Sequence, residues 1–222
     1  MIEMILDDPH RPELVRLRNL YKLDDLVAGS LDRYEELRRL LAWVHALWEH
    51  DGNHRPTRPD PLTIPEEASQ GARFRCVEYS IVMAAAATAI GMPARVISLR
   101  TGDAETCAHA GAHVVAEVWL EQFGKWVFSD GQFAAIPELQ RGSLSAVEFK
   151  EALRAARNDL LAGTRIAQRA RLHRYLRWVE PYLFSLSCRI DQRFFIDESE
   201  RATGTMMLSR DDCQWSSLPI IP

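Results

Sequence analysis

Apolar residues follow a helical period at both ends of the chain and a strand period in the middle. Leu14, Leu17 and Leu20 predict a short helix, and the segment after it breaks at Gly29. Ser30 is the expected N-cap of a longer helix, with Asp32 in its first turn. Leu37, Leu40, Leu41, Val44 and Trp48 would form the packed face of that helix, and Asp51-Gly52-Asn53 would stop it. Arg55–Pro65 is too proline-dense for regular structure and predicts an extended connector. Gln70–Gly91 then combines a polar lead-in, Cys76 and an alanine-rich run ended by Gly91 and Pro93. This run is apolar on nearly every side, which predicts a buried central helix with Cys76 in its first turn.

After Pro93 the period changes to two. Strands are predicted over Ala94–Leu99, His113–Leu120 and Lys125–Ser129, with a link at 121–124 short enough for a hairpin. His113, Val115, Glu117 and Trp119 fall on one face of the second strand, and Val114, Ala116, Val118 and Leu120 on the other. Antiparallel pairing brings the end of the third strand beside the start of the second, so Asp130 is expected next to His113. Glu117 shares that face further along, where a structural hydrogen bond is its expected role.

Beyond Ile136 helical spacing returns. Ser145 and Glu148 form a capping-box pattern ahead of Phe149, Ala152, Leu153, Ala156 and Leu160. A second helix, about 164–179, carries Arg165, Arg169, Arg171, Arg174 and Arg177 and predicts a solvated basic face. Pro181 ends it, a strand is expected over 182–190, and the last twenty-odd residues carry no clear signal. The fold class is α+β: a central Cys helix packed on an antiparallel sheet, with a helical insertion towards the C-terminus. The expected organisation is one domain over 1–222, with a core at about 30–133, a helical extension at about 136–180 and terminal strands at 182–222.

Composition narrows the function classes. A net charge of −4 gives no reason to expect nucleic acid as a partner, and no apolar run approaches a membrane span. The opening M-I-E-M-I-L-D-D-P lacks the pattern of a signal peptide, which gives a cytoplasmic expectation. Cys76, Cys107, Cys188 and Cys213 are widely separated, with no C-x-x-C pair, so neither a zinc site nor a disulfide framework is expected. No cofactor is implied. His45 and His50 are not at i, i+4 spacing and are expected at the surface or a helix end.

The candidate chemistry rests on three residues. Unpaired N–H groups and the helix dipole favour an anion at the first turn of the Cys76 helix, so a thiolate nucleophile is expected there. A lone cysteine on an apolar helix is more often packing. Here, however, it is followed in order by a histidine opening a strand and an aspartate closing the next. His109 is a weaker rival base, in a small-residue loop. Cys107, His109 and His113 have metal-ligand chemistry without a recognised spacing.

Three ordered blocks carry a resemblance. Gly91-Met92-Pro93-Ala94-Arg95 follows the Cys helix, His113-Val114-Val115-Ala116-Glu117 matches an H-x-W-x-E strand, and Trp126-Val127-Phe128-Ser129-Asp130 matches a closing W-x-x-x-D strand. From about residue 70 to 133 the chain resembles the core of the transglutaminase-like superfamily, within the papain-like fold. The upstream Ala42-Trp43-Val44 is similar to the family's helix before its proline-rich connector. Val115 departs from the family pattern, as does Arg73-Phe74-Arg75 where many members have a glycine. No calcium-site pattern is present.

The resemblance implies Cys76 as nucleophile, His113 as general base and acid, and Asp130 as orienter of His113. It implies an oxyanion site at the Cys76 N–H, to which Gln70 adds an amide if it resembles the papain-like oxyanion glutamine rather than capping a turn. Arg73, Phe74 and Arg75 would shape the substrate entrance, and Trp119 would be core or cleft wall. The implied function is cysteine-dependent acyl transfer from an amide or thioester donor, through a thioester, to water or an amine. The donor would be a peptide, a protein or a small molecule. The alternative is a non-catalytic binding or scaffold module on the same fold.

Overall fold

The computed structural model describes residues 4–106, 111–140, 142–155, 160 and 166–208. Five helices precede the sheet: α1 (Pro12–Leu20), α2 (Leu23–Val27), α3 (Arg33–Ala46), α4 (Thr63–Ser69) and α5 (Cys76–Ala89). The strands β1 (Ala94–Arg100), β2 (Ala112–Leu120) and β3 (Lys125–Ser129) follow, then a two-residue pair, β4 (Glu138–Leu139) and β5 (Gly142–Ser143). Helices α6 (Ala146–Ala155) and α7 (Ile166–Val179) lead to β6 (Ser185–Arg189) and β7 (Thr205–Leu208). The main sheet runs β3-β2-β1-β6-β7 with every pairing antiparallel.

The strand period builds two cores, one on each face of this sheet. Ala116, Val118 and Val127 meet Leu37, Leu40, Val44, Met83 and Ala86 from the N-terminal helices. Ile97, Leu99, Val115 and Phe128 meet Phe149, Leu153, Leu176 and Val179 from α6 and α7. The α+β expectation and the Cys helix on an antiparallel sheet therefore hold, and the later helices cover the face opposite α5.

Helix α5 is buried along most of its length, as its all-round apolar pattern requires. Its last carbonyls accept hydrogen bonds from Arg18 Nη1 to Ala89 at 3.1 Å and from Arg33 Nη1 to Ile90 at 3.2 Å. Two cations thus satisfy the end of the helix that would otherwise bury unpaired oxygens. Near the other end, the Ser80 hydroxyl lies 2.8 Å from both the Cys76 and the Val114 carbonyl oxygens. That contact ties the first turns of α5 to the strand residue next to His113.

Three local expectations change. Asp32, not Ser30, caps α3, because its carboxylate accepts from the Glu35 N–H at 2.8 Å while Ser30 N–H closes the preceding turn on Val27. The proline-dense connector yields to α4 at Thr63. Asp60 accepts from the N–H groups of Leu62 and Thr63, and Pro65 falls in the first turn, where a missing N–H costs nothing. Strand β7 forms within the stretch that carried no signal; Cys213 and Trp215 lie outside the described residues, as do Cys107 and His109.

Buried Arg95 and Glu117 pair at 2.5 Å across β1 and β2, and Glu117 also accepts from the Ala146 N–H that opens α6. Glu117 is thus structural, as expected. The Arg95 guanidinium lies 4.3 Å over the Trp126 ring. Gly131 marks the closest approach between the strand end and the helices. A Cβ there would stand 3.1 Å from Tyr79 Cβ and 3.3 Å from Val44 Cγ1. Gly131→Ala is therefore expected to destabilise the fold by about 1–3 kcal/mol, read as a lowered urea midpoint at unchanged slope.

Candidate active site

Cys76 is the first residue of α5 and is only partly buried, so its thiol is reachable while its backbone is held by a rigid element. The extended conformation of Arg75 starts the helix, and Glu78 in the first turn accepts from the Arg75 N–H at 3.1 Å. Glu78 is fully buried and its charge is met by Arg75 Nη2 at 2.5 Å. Arg75, whose pKa is raised first by its bond to Glu78, also lies within reach of the Cys76 charge. The Cys76 N–H, lacking an intrahelical acceptor, is available to an incoming oxygen.

His113 sits at the second position of β2, 2% exposed. Ala116 pairs with Ser129, which puts Asp130 diagonally across from His113 on the same face of the sheet. His113 Nε2 lies 2.8 Å from Asp130 Oδ2. The Cys76 thiol is the next group to act on this imidazole, and with Nε2 committed to Asp130 the nitrogen left for it is Nδ1. Burial by itself would lower the His113 pKa. The Asp130 charge and hydrogen bond, joined by Cys76, outweigh it and raise the pKa from the ordinary 6.5 to about 9.

Asp130 is wholly buried and is held from three directions. Besides His113, the Tyr175 hydroxyl donates to Oδ2 at 3.0 Å and the Phe133 N–H donates to Oδ1 at 3.2 Å. Phe133, Trp178 and Tyr182 pack round the His113 ring at centroid distances of 6.1, 4.9 and 6.0 Å.

Residues 22–131, from α2 to the residue after Asp130, match the model of the transglutaminase-like superfamily. That stretch, 110 of the 222 residues, is transglutaminase-like. Among solved structures it is similar to a candidate cysteine protease from Cytophaga hutchinsonii, at 16% identity and a TM-score of 0.43 over 59% of this chain and 46% of that one. The chain thus spans about half the length of that protein. No curated protein matches it.

The other residues singled out for this transglutaminase-like site divide. Arg75, next to Cys76 in the chain, turns its guanidinium to Glu78. Phe74 does not line the entrance: it is 0% exposed and packs edge-on against Trp48, so it props the Cys76 turn from within. Arg73 points to solvent, paired with exposed Glu49 at 2.9 Å. Trp119 packs on Trp126 six residues along β2 from His113, about 20 Å away at the strand rise, which makes it a feature of the far end of the sheet. Gln70 is exposed at the end of α4, where its N–H closes the turn on Glu67; its amide has no partner among the described residues to orient it. A turn-closing residue is therefore what the structure supports at that position.

Several site residues were not anticipated. Tyr175, Trp178 and Tyr182 come from α7 and the turn after it, beyond the family match. The one local signal is an aromatic set at helical spacing. His45, expected at the surface or a helix end, stands in the last turn of α3, half-buried, with Nδ1 3.2 Å from the Gly131 carbonyl. His50 lies within electrostatic reach of the site: burial lowers its pKa first, and the His113 charge adds to that.

A groove of about 840 Å³ opens on the α5 side of the sheet; Val77, the residue after Cys76, lines it, and Cys76 itself does not. Val77 and Ile81 form one wall, Val96, Ser98 and Val114 the floor, and Phe194 part of the opposite wall. Among the described residues no cluster of three metal-ligating side chains occurs, and no helix is long and apolar enough to cross a membrane.

Two measurements test this site. The His113 imidazole is expected to titrate near pH 9 by NMR and to move towards its ordinary value in Asp130→Asn. A raised histidine pKa stabilises the fold fully below about 6.5, and that contribution is lost as pH rises through 9. In a chain carrying Cys107→Ser and Cys213→Ser, iodoacetamide at pH 7 should label Cys76 and spare Cys188. Cys188 is buried, which pushes its thiol to about 11.

Proposed function

We propose that this protein is a cysteine-dependent acyl-transfer enzyme with Cys76 as nucleophile, His113 as general base and acid, and Asp130 as orienter. The observation that carries the reading is one buried imidazole held by a carboxylate at 2.8 Å and close enough to the thiol at the mouth of a helix for that thiol to raise its pKa. A scaffold would have no use for all three groups brought together.

In this mechanism His113 Nδ1 takes the thiol proton and a thiolate–imidazolium pair forms. The thiolate attacks an amide or thioester carbonyl carbon, and the carbonyl π pair moves onto oxygen. The Cys76 N–H meets the developing oxyanion, aided by the positive end of the α5 dipole. Collapse breaks the bond to the leaving group, which departs with the proton from His113 and leaves a thioester on Cys76. Water or an amine then gives its proton to His113, attacks the thioester and releases the thiol. Both outcomes use the same groups, so the choice between hydrolase and transferase lies in the acceptor.

We place the acyl donor in the groove along Val77 and Ile81, since Val77 follows Cys76 directly in α5 and these two side chains make that wall apolar. A peptide, protein segment or small amide would enter there, with an amine as the second substrate in the transferase case.

Incubation with a panel of small esters and amides, followed by intact-mass measurement, should show one acyl adduct that Cys76→Ser abolishes. Adding a choice of amines separates transfer from hydrolysis by the mass of the product. His113→Ala is expected to cut turnover by about 100-fold or more. A folded protein that forms no adduct with any member of the panel would defeat the proposal.

A further inference from the structure

The segment beyond residue 131 lies outside the family match, yet it reaches the centre of the site. Helix α7 brings Tyr175 against Asp130, and the ring is almost wholly enclosed, at 6% exposure. Its hydroxyl donates to Oδ2, the same oxygen that faces His113 Nε2, at 3.0 Å against 2.8 Å for the histidine. The ring is fixed on three sides, by Phe133 at 5.1 Å, Phe149 at 6.5 Å and Trp178 at 6.5 Å between centroids. A side chain so enclosed cannot swing its hydroxyl elsewhere, and Asp130 cannot rotate away without stranding a buried donor.

We propose that Tyr175 is a positioning residue of the proposed acyl-transfer reaction, acting on His113 through the shared Asp130 oxygen. The inference rests on the triad reading above. Tyr175 holds the Asp130 carboxylate in the rotamer that accepts from Nε2–H, which keeps Nδ1 turned to the thiol. It also draws part of the carboxylate charge into a second hydrogen bond. The imidazolium is then bound less tightly than by an unshared carboxylate and releases its proton more readily to the leaving group. Burial first, and then the Asp130 charge and hydrogen bond, hold the phenol pKa well above 10, so the hydroxyl remains a donor throughout the working range.

Several ionisable groups bear on His113. Asp130 bonds to it, the charge of Cys76 acts on it, the phenol of Tyr182 packs near its ring, and the charges of His50 and Glu78 act in the same neighbourhood. Of these neighbours only Asp130 loses a partner when the Tyr175 hydroxyl is removed. Tyr175→Phe is therefore a clean substitution, since it keeps the ring stacked and deletes one donor.

Two readings are expected for Tyr175→Phe. By NMR, the His113 imidazole should titrate above its wild-type value, because an unshared carboxylate attracts the imidazolium more strongly. In turnover, kcat should fall about tenfold at unchanged KM, the size of one hydrogen bond to a charged group. Alkylation of Cys76 by iodoacetamide needs no leaving-group proton and, with the imidazolium held more tightly beside the thiolate, should set in at lower pH than in wild type. A purely structural hydroxyl would lower the thermal midpoint and leave the His113 titration and the alkylation profile where they were; that result overturns the proposal. The titration needs no substrate, so it judges Tyr175 even if the protein proves not to turn over acyl donors. If Tyr175→Phe does not fold, Phe149→Leu serves instead. It loosens the ring and keeps the hydroxyl, and it should shift the His113 titration in the same direction by a smaller amount; no shift there would equally overturn the role.

Discussion

A carboxylate with no exposed surface is expensive unless every lone pair it presents is met, and Asp130 is such a group. Its donors come from three places in the chain: His113 on β2, Tyr175 on α7 and the Phe133 N–H in the following turn. Each of these segments is therefore obliged to dock at one point. The hairpin must hold its register, the turn must close tightly enough for Asp130 and Ala135 to exchange backbone bonds, and α7 must lie across the sheet. The cost of leaving this charge unpaired ties the C-terminal helix to the matched core.

The thiol arrives from the other side. Helix α5 packs on the face of β2 that carries Val114 and Ala116, whereas His113 and Asp130 belong to the face covered by α6 and α7. Cys76 reaches His113 because it stands at the very end of α5, where the helix meets the start of β2. The Ser80 hydroxyl between the Cys76 and Val114 carbonyls fixes that meeting. The site thus lies where two cores adjoin, with the proposed nucleophile supplied by one and the proposed base and orienter by the other. A displacement of either layer would move the thiol away from the imidazole while leaving both cores intact.

Much of this could be read from residue order. The all-round apolar run after Cys76 reads as a buried helix because no face of it could be left in water. Period two from Ala94 to Ser129 reads as strands, and the four-residue link makes β2 and β3 neighbours, from which the His113–Asp130 contact follows. Other features could not be read because their determinants are not local. Phe74 lies next to the Cys76 turn in sequence, yet Trp48 draws it into the core and away from any substrate. Trp119 shares a strand face with His113 but is separated from it by the length of the strand. The Asp60 cap that starts α4 competes with the proline signal, and a single well-placed carboxylate outweighs it.

By itself, then, the amino-acid sequence determined the elements, the pairing of β2 with β3 and the order of Cys76, His113 and Asp130, since these depend on periodicity, turn length and neighbouring residues. Only the tertiary structure decided that Phe133, Trp178 and Tyr182 enclose the histidine and that Arg73, Phe74 and Trp119 stand apart from it. The same holds for the groove along Val77 and Ile81. These outcomes depend on how α7 and the segment after β6 settle on the sheet. That is a balance of buried charge, shape and aromatic packing between segments far apart in the chain, and local pattern carries no record of it.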